Sequence, residues 1–150
     1  MDFSEIKKRI DAYNKIAEAS KNLPFSQIQK LMPIPRKKNS AKRKKVEEIL
    51  KKHSVNNVEF FIEDMYGIIE IIGYYKGYTK TVFEFDRDTY ETHIHHLEPI
   101  SDDRIEKEFE TAEKIIKYAK ENIKNITLDE ILSYIKDEVK ILIINRRVMP

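Results

Sequence analysis

The apolar positions of this chain follow one period up to about residue 57 and another after it. Ile6, Ile10, Tyr13 and Ile16 or Ala17 recur at spacings of three and four, which predicts a helix over residues 4 to 22 closed by Pro24. Phe25, Ile28, Leu31 and Met32 predict a short second helix over 25 to 32. Pro33-Ile34-Pro35 predicts an extended connector, because each proline fixes its own φ and restrains the residue before it. Ser40 is placed to cap a third helix reaching about His53, with Val46, Ile49, Leu50 and His53 facing inward and lysine on most of the opposite face.

From Val58 the period is two. Val58, Phe60 and Ile62 alternate with Glu59 and Glu63, and Gly67, Lys76-Gly77 and Asp86-Arg87-Asp88 separate three further β-rich runs. The pattern predicts an antiparallel meander with strands near 58 to 63, 68 to 75, 78 to 86 and 89 to 96. A two-residue turn at Arg87-Asp88 would pair Phe85 with Tyr90, Phe83 with Thr92 and Thr81 with Ile94. A three-residue loop at Tyr75-Lys76-Gly77 would bring Ile69 and Ile71 to the same face.

Ser101 then caps a long helix whose acidic first turn, Asp102 and Asp103, suits the positive end of the helix dipole. Ile105, Phe109, Ala112, Ile116, Ala119 and Ile123 form a heptad seam along it. Thr127-Leu128-Asp129-Glu130 is a capping box opening a further helix after the short Asn125-Ile126 joint, which predicts an antiparallel helical hairpin. Val139 to Ile144 reads as a closing strand. The expected fold is α+β: N-terminal helices, a central antiparallel four-stranded meander and a C-terminal helical hairpin on one sheet face. It is expected as a single domain, with 1–57 a basic helical arm, 58–98 the sheet, and 101–150 the hairpin and C-terminal segment.

Composition narrows the function. A chain of 150 residues that is 41% hydrophobic can build one sizeable core, and the absence of cysteine removes disulfide scaffolds, thiol catalysis and Cys-ligated metals. Few glycines and no tryptophan, beside abundant Lys, Ile and Asn, speak of codon bias or growth temperature rather than of function. No apolar run approaches 18 residues, and Met1-Asp2-Phe3-Ser4-Glu5 is acidic where a signal peptide needs basic residues. A soluble cytoplasmic protein with no membrane partner and no cofactor is the expectation. The net charge of +2 hides a division: residues 1 to 57 carry fifteen Lys and Arg against six Asp and Glu, and the remainder is acidic.

Arg36, Lys37, Lys38, Lys42, Arg43, Lys44 and Lys45 place seven positive charges and no negative one within ten residues. Such a density is a footprint for phosphate. Four of these cations fall in the first turn of the third helix, where the dipole disfavours them by roughly 0.3–1 kcal/mol each, so helix stability does not account for them. A solvated lysine face, or docking on the acidic half of the same chain, is the alternative. A helix-turn-helix does not fit, since the connector between the second and third helices is longer than a three- or four-residue turn.

Tyr74, Tyr75 and Tyr78 surround Lys76-Gly77, with Lys80 close behind, and rings interleaved with lysines at a hairpin tip are suited to stacking bases. Core capping or a protein interface is the competing explanation. Glu84, Glu91, His93 and His95 are the candidate metal ligands, because the Arg87-Asp88 turn would set Glu91 opposite Glu84 with both histidines on the same side. His96 would face inward. A nuclease core lacks its lysine, since Glu84-Phe85-Asp86 has an acid at that position, and no serine or cysteine nucleophile is present.

The leading expectation is a small non-enzymatic protein that binds nucleic acid, DNA or RNA, through residues 36 to 45 and the hairpin residues Tyr74, Lys76, Tyr78 and Lys80. The second is a protein-protein interaction or inhibitor module, of the sort mobile elements encode, gripping an acidic protein surface. A metal-dependent phosphodiesterase is the third. The 105–123 seam allows a homodimer as the alternative to packing within the chain.

Overall fold

The computed structural model describes residues 3–125, 127–137 and 140. They form α1 (Phe3–Ser20), α2 (Phe25–Lys30), α3 (Ala41–Lys52), β1 (Glu59–Met65), β2 (Ile68–Tyr75), β3 (Tyr78–Asp86), β4 (Thr92–Ile94), α4 (Asp102–Asn122) and α5 (Leu128–Leu132). The class is α+β, with helices before and after a four-stranded antiparallel sheet ordered β1-β2-β3-β4. The chain divides into two compact units. One holds Ala12–Pro99, and the other joins the start of α1, up to Asp11, to the described residues from Ile100 on.

In the first unit the N-terminal helices share one core with the sheet. Ala12, Ile16, Ala17 and Ala19 of α1, Ile28 of α2, and Val46 and Leu50 of α3 are buried in one cluster with Phe60, Ile62, Ile69, Ile71, Phe83 and Phe85. Residues 12–57 are therefore structural cover for the strands as well as a basic segment. Gly73 sets how closely α1 approaches: a Cβ there would lie 2.7 Å from Ile16 Cγ2 and 3.1 Å from the Phe60 ring. Between α2 and α3, Ile34 is buried and pins the Pro33-Ile34-Pro35 strap to the core.

The apolar faces of β2 and β3 meet as expected, Ile71 opposite Phe83 and Ile69 opposite Phe85, but by a different device. The connection is a two-residue turn, Lys76-Gly77, with both φ angles positive (46° and 88°), the type I′ arrangement that suits strand twist. It pairs Tyr75 with Tyr78, and a register shift at Ile71/Ile72 leaves Val82 as an extra residue on β3. That β-bulge brings Ile69 and Ile71 to the face a three-residue loop would have given them, but with cross-strand partners two residues further along β3.

The β3–β4 pairing differs from expectation by two residues. Phe85 faces Thr92, Glu84 faces His93 and Phe83 faces Ile94. The cause is Asp86, whose Oδ1 accepts from the backbone N–H groups of Asp88 (2.8 Å) and Thr89 (3.2 Å). Its own carbonyl accepts from Tyr90 N, and its N–H donates to Glu91 O. The side chain thus builds a four-residue loop, 87–90, in place of a two-residue turn. A shift of two keeps the side chains of Thr92, His93 and Ile94 on their expected faces but changes their cross-strand neighbours.

In the second unit, Ser101 Oγ caps α4 by accepting from Arg104 N at 3.3 Å, and Thr127 Oγ1 caps α5 by accepting from Glu130 N at 3.2 Å. Phe109, Ala112 and Ala119 of the seam are buried along with Ile6, Ile10, Ile131, Leu132 and Ile135. The Phe3 ring lies 5.1 Å from that of Phe109, and buried Glu108 accepts from Lys136 N at 3.0 Å. These seam positions are filled by the chain itself. Ile123 has left the helix (φ −132°, ψ 125°) and is exposed. Within the stretch expected as a strand, Lys140 N donates to Lys136 O in a helical hydrogen bond. The remaining residues of 139–144 lie outside the described residues.

Candidate nucleic-acid interface

The basic segment starts in the connector and enters α3. Ser40 Oγ accepts from Arg43 N at 3.2 Å, which fixes the helix start and places Lys42, Arg43, Lys44 and Lys45 in its first turns. Val46 and Leu50 set the buried face of α3; Lys44 and Lys45 lie off it, Lys42 is in line with it at the helix start, and all three are exposed, as are Arg36, Lys37 and Lys38 before the helix. Arg43 is the exception: its side chain is 14% exposed and its Nε donates to Glu47 Oε1 at 3.0 Å. Among the described residues, the other six cations form no ion pair. Lys45 also lines a groove between α2 and α3, of about 450 Å³, with Lys30, Lys52 and Glu48 around Leu31 and Ile49.

α3 packs on β1. The short connection from His53 to Val58 brings the end of the helix to the start of the strand, so its basic beginning lies toward the end of β1. There Arg36 lines a cleft of about 480 Å³ with Asp64, Tyr66, Gly67 and Asp88. Tyr66 and Gly67 are a second two-residue turn with positive φ at both positions (51° and 83°), and the Tyr66 ring is 98% exposed. The turn is fastened to the β3–β4 loop: Arg87 N donates to Gly67 O at 2.9 Å, and Arg87 Nη2 donates to Asp64 Oδ2 at 2.7 Å. Tyr90, 65% exposed and also at positive φ (61°), belongs to that loop, with its ring edge-on to Phe85.

The tyrosines singled out in the sequence lie at the opposite end of β2, which at about 3.4 Å per residue is some 25 Å away. Tyr75 is buried, and Tyr78 opposite it is half-buried against the core. Tyr74 lies on the other sheet face and is half-buried. Lys76 is exposed, with Nζ 5.3 Å from the centre of the Tyr75 ring, and Lys80 is half-buried. The two parts of the expected site are therefore not one surface. Tyr66 was missed, although its position beside a glycine between two strand patterns is a turn signal.

Of the expected metal ligands, Glu84, His93 and His95 come together and Glu91 does not. The register correction puts His93 opposite Glu84 and sets Glu91 against Asp86 at the base of the hairpin loop. His95 Nε2 lies 3.5 Å from Glu84 Oε1, and the His93 and His95 rings stand edge-on at 4.6 Å. Burial holds the His95 imidazole below its usual range; Glu84 opposes this, and His93 and Lys80 add to it. Among the described residues, no group of three or more His, Asp or Glu is arranged to hold a metal ion. His96, expected to face inward, is exposed. No described helix is long and apolar enough to cross a membrane.

No protein-family model matches this chain, and no curated protein or solved structure shows detectable similarity to it.

Proposed function

We propose that this protein binds nucleic acid, without catalysis, through Arg36, Lys37, Lys38, Lys42, Lys44 and Lys45. The observation that carries the reading is that these six exposed cations sit together with no ion-pair partner among the described residues. Among the described residues, the acidic side chain ion-paired with the segment is Glu47, held by Arg43. The first turn of α3 contains no acidic residue, so the cations also oppose the helix dipole. An arrangement that destabilises its own helix is relieved by a polyanion, and phosphate oxygens spaced along a backbone match a row of lysines.

Fluorescence anisotropy with labelled mixed-sequence single strands and duplexes tests this across a range of salt. The wild type should bind at low salt, with log K falling by about 0.7–0.9 per phosphate contact for each decade of salt. A triple variant, Lys42→Glu, Lys44→Glu and Lys45→Glu, should lose binding by at least about 100-fold and show a shallower salt slope, while remaining folded. Arg43 is left in place because it is paired with Glu47 along α3. Absence of wild-type binding to every nucleic acid at low salt would refute the reading.

A further inference from the structure

We infer that the Tyr66-Gly67 turn and the cleft beside it receive an unpaired base, so that the partner is single-stranded nucleic acid. This rests on the reading of the basic segment as a phosphate contact and adds the class of strand to it.

The hairpin accounts for the positive φ of Tyr66, which a type I′ turn requires, but not for the choice of a tyrosine there. The first central position of a type I′ turn favours Asn, Asp or Gly, because positive φ crowds a Cβ against the backbone; a bulky side chain is an outlier there. A ring that is 98% exposed gains no burial in exchange. Tyr118 and Tyr134 are also exposed, but neither is at positive φ; Tyr90 is exposed at positive φ (61°) too, but its ring packs edge-on against Phe85. A residue held in a costly conformation with its ring in water is placed for something outside the fold.

What surrounds the ring suits a base. The turn is rigidly presented, since Arg87 ties Gly67 O and Asp64 together. The loop opposite is shaped by Asp86, and Asp88 Oδ2 lies 3.8 Å from where a Cβ on Gly67 would stand. Arg36 and Arg87 balance Asp64 and Asp88, so the cleft itself does not attract a phosphate. It offers an aromatic face for stacking, a carboxylate that accepts from exocyclic amino groups, and a guanidinium that donates to ring nitrogens and carbonyls. Lys37 and Lys38 follow Arg36 directly and can hold the sugar-phosphate backbone outside the cleft. In a duplex the base faces are already stacked and unavailable to the ring. A protein partner would find a polar, charge-balanced cleft, with less apolar surface than a stable interface uses.

Two variants test this on the full chain. Tyr66→Asn removes the ring and keeps a residue suited to the turn; Tyr66→Trp introduces the sole tryptophan. The probes are a fluorescein-labelled mixed-sequence single strand of twelve nucleotides, as DNA and as RNA, and the matching duplexes. Tyr66→Asn should weaken single-strand binding by about 5- to 150-fold and change duplex binding by less than about twofold. Emission from Tyr66→Trp should be quenched by unlabelled single strand and not by duplex. Unchanged single-strand affinity in Tyr66→Asn, or an equal loss on both strands, overturns the inference and leaves the basic segment as a phosphate contact. A wild type that binds neither overturns both and points to an acidic protein surface instead.

Discussion

Two turns of the same type close opposite ends of β2, and they use their tyrosines in opposite ways. Tyr66-Gly67 and Lys76-Gly77 both have positive φ at each central residue. At Lys76-Gly77 the tyrosines flank the turn at strand positions. Tyr75 and Tyr78 pair across β2 and β3 on the core face, so their rings pack inward. At Tyr66-Gly67 the tyrosine occupies the turn itself, where no strand parity directs it inward, and it stands in solvent. Aromatics clustered at strand positions are therefore drawn into the core, whereas a single aromatic in the turn itself cannot reach it. The charge distribution supports the same contrast, since the exposed turn shares its cleft with Arg36.

Stability measurements should separate the two ends most strongly. Tyr75→Ala removes a ring that is 7% exposed and should cost about 2–4 kcal/mol in urea unfolding, with nucleic-acid affinity per folded molecule unchanged. A similar loss from Tyr66→Ala would break the contrast. Next in size, Arg87→Ala removes the 2.7 Å ion pair to Asp64, whose side chains are only 15% and 21% exposed, and should cost about 1–2 kcal/mol. That variant should also weaken single-strand binding by loosening the Tyr66 turn, read from the same anisotropy titration.

Smaller effects have the opposite sign. Tyr66→Asn should raise stability by about 0.5–1 kcal/mol, because asparagine suits positive φ, while it lowers affinity. Lys42→Glu should likewise stabilise α3 by roughly 0.3–1 kcal/mol through the helix dipole and weaken binding. Gains in stability at the expense of binding, at two sites and by two mechanisms, would mark that end as shaped for a partner. The smallest effect belongs to neither end. His95 is held below its usual range by burial, so the unfolded chain takes up its proton first and stability should fall as pH drops below about 6.5. In His95→Gln that decline between pH 7 and 5 should be shallower in thermal unfolding.

Much of the fold was legible because it depends on local chemistry. The three- and four-residue spacing of α1, the alternation through β2 and β3, and the caps Ser40, Ser101 and Thr127 all lie within a few residues of what they determine. The misplaced features depend on a single residue acting across strands. Val82 enters as a bulge only because Ile71 and Phe83 must share a face, and Asp86 lengthens its loop through two hydrogen bonds that composition does not announce. That loop decided the metal candidates, since two residues of register separate Glu91 from Glu84. The basic segment was visible as charge density. Its neighbour Tyr66 was not, because the cleft brings Arg36 beside residues about thirty and fifty positions later in the chain.

The most direct test is a lysine-acetylation footprint read by mass spectrometry, with and without a saturating mixed-sequence single strand. Lys37, Lys38, Lys42, Lys44 and Lys45 should be protected and Lys76 should react as in the free protein, which places the strand at the Tyr66 end. Protection of Lys76 and Lys80 with full reactivity across residues 37 to 45 would contradict the account.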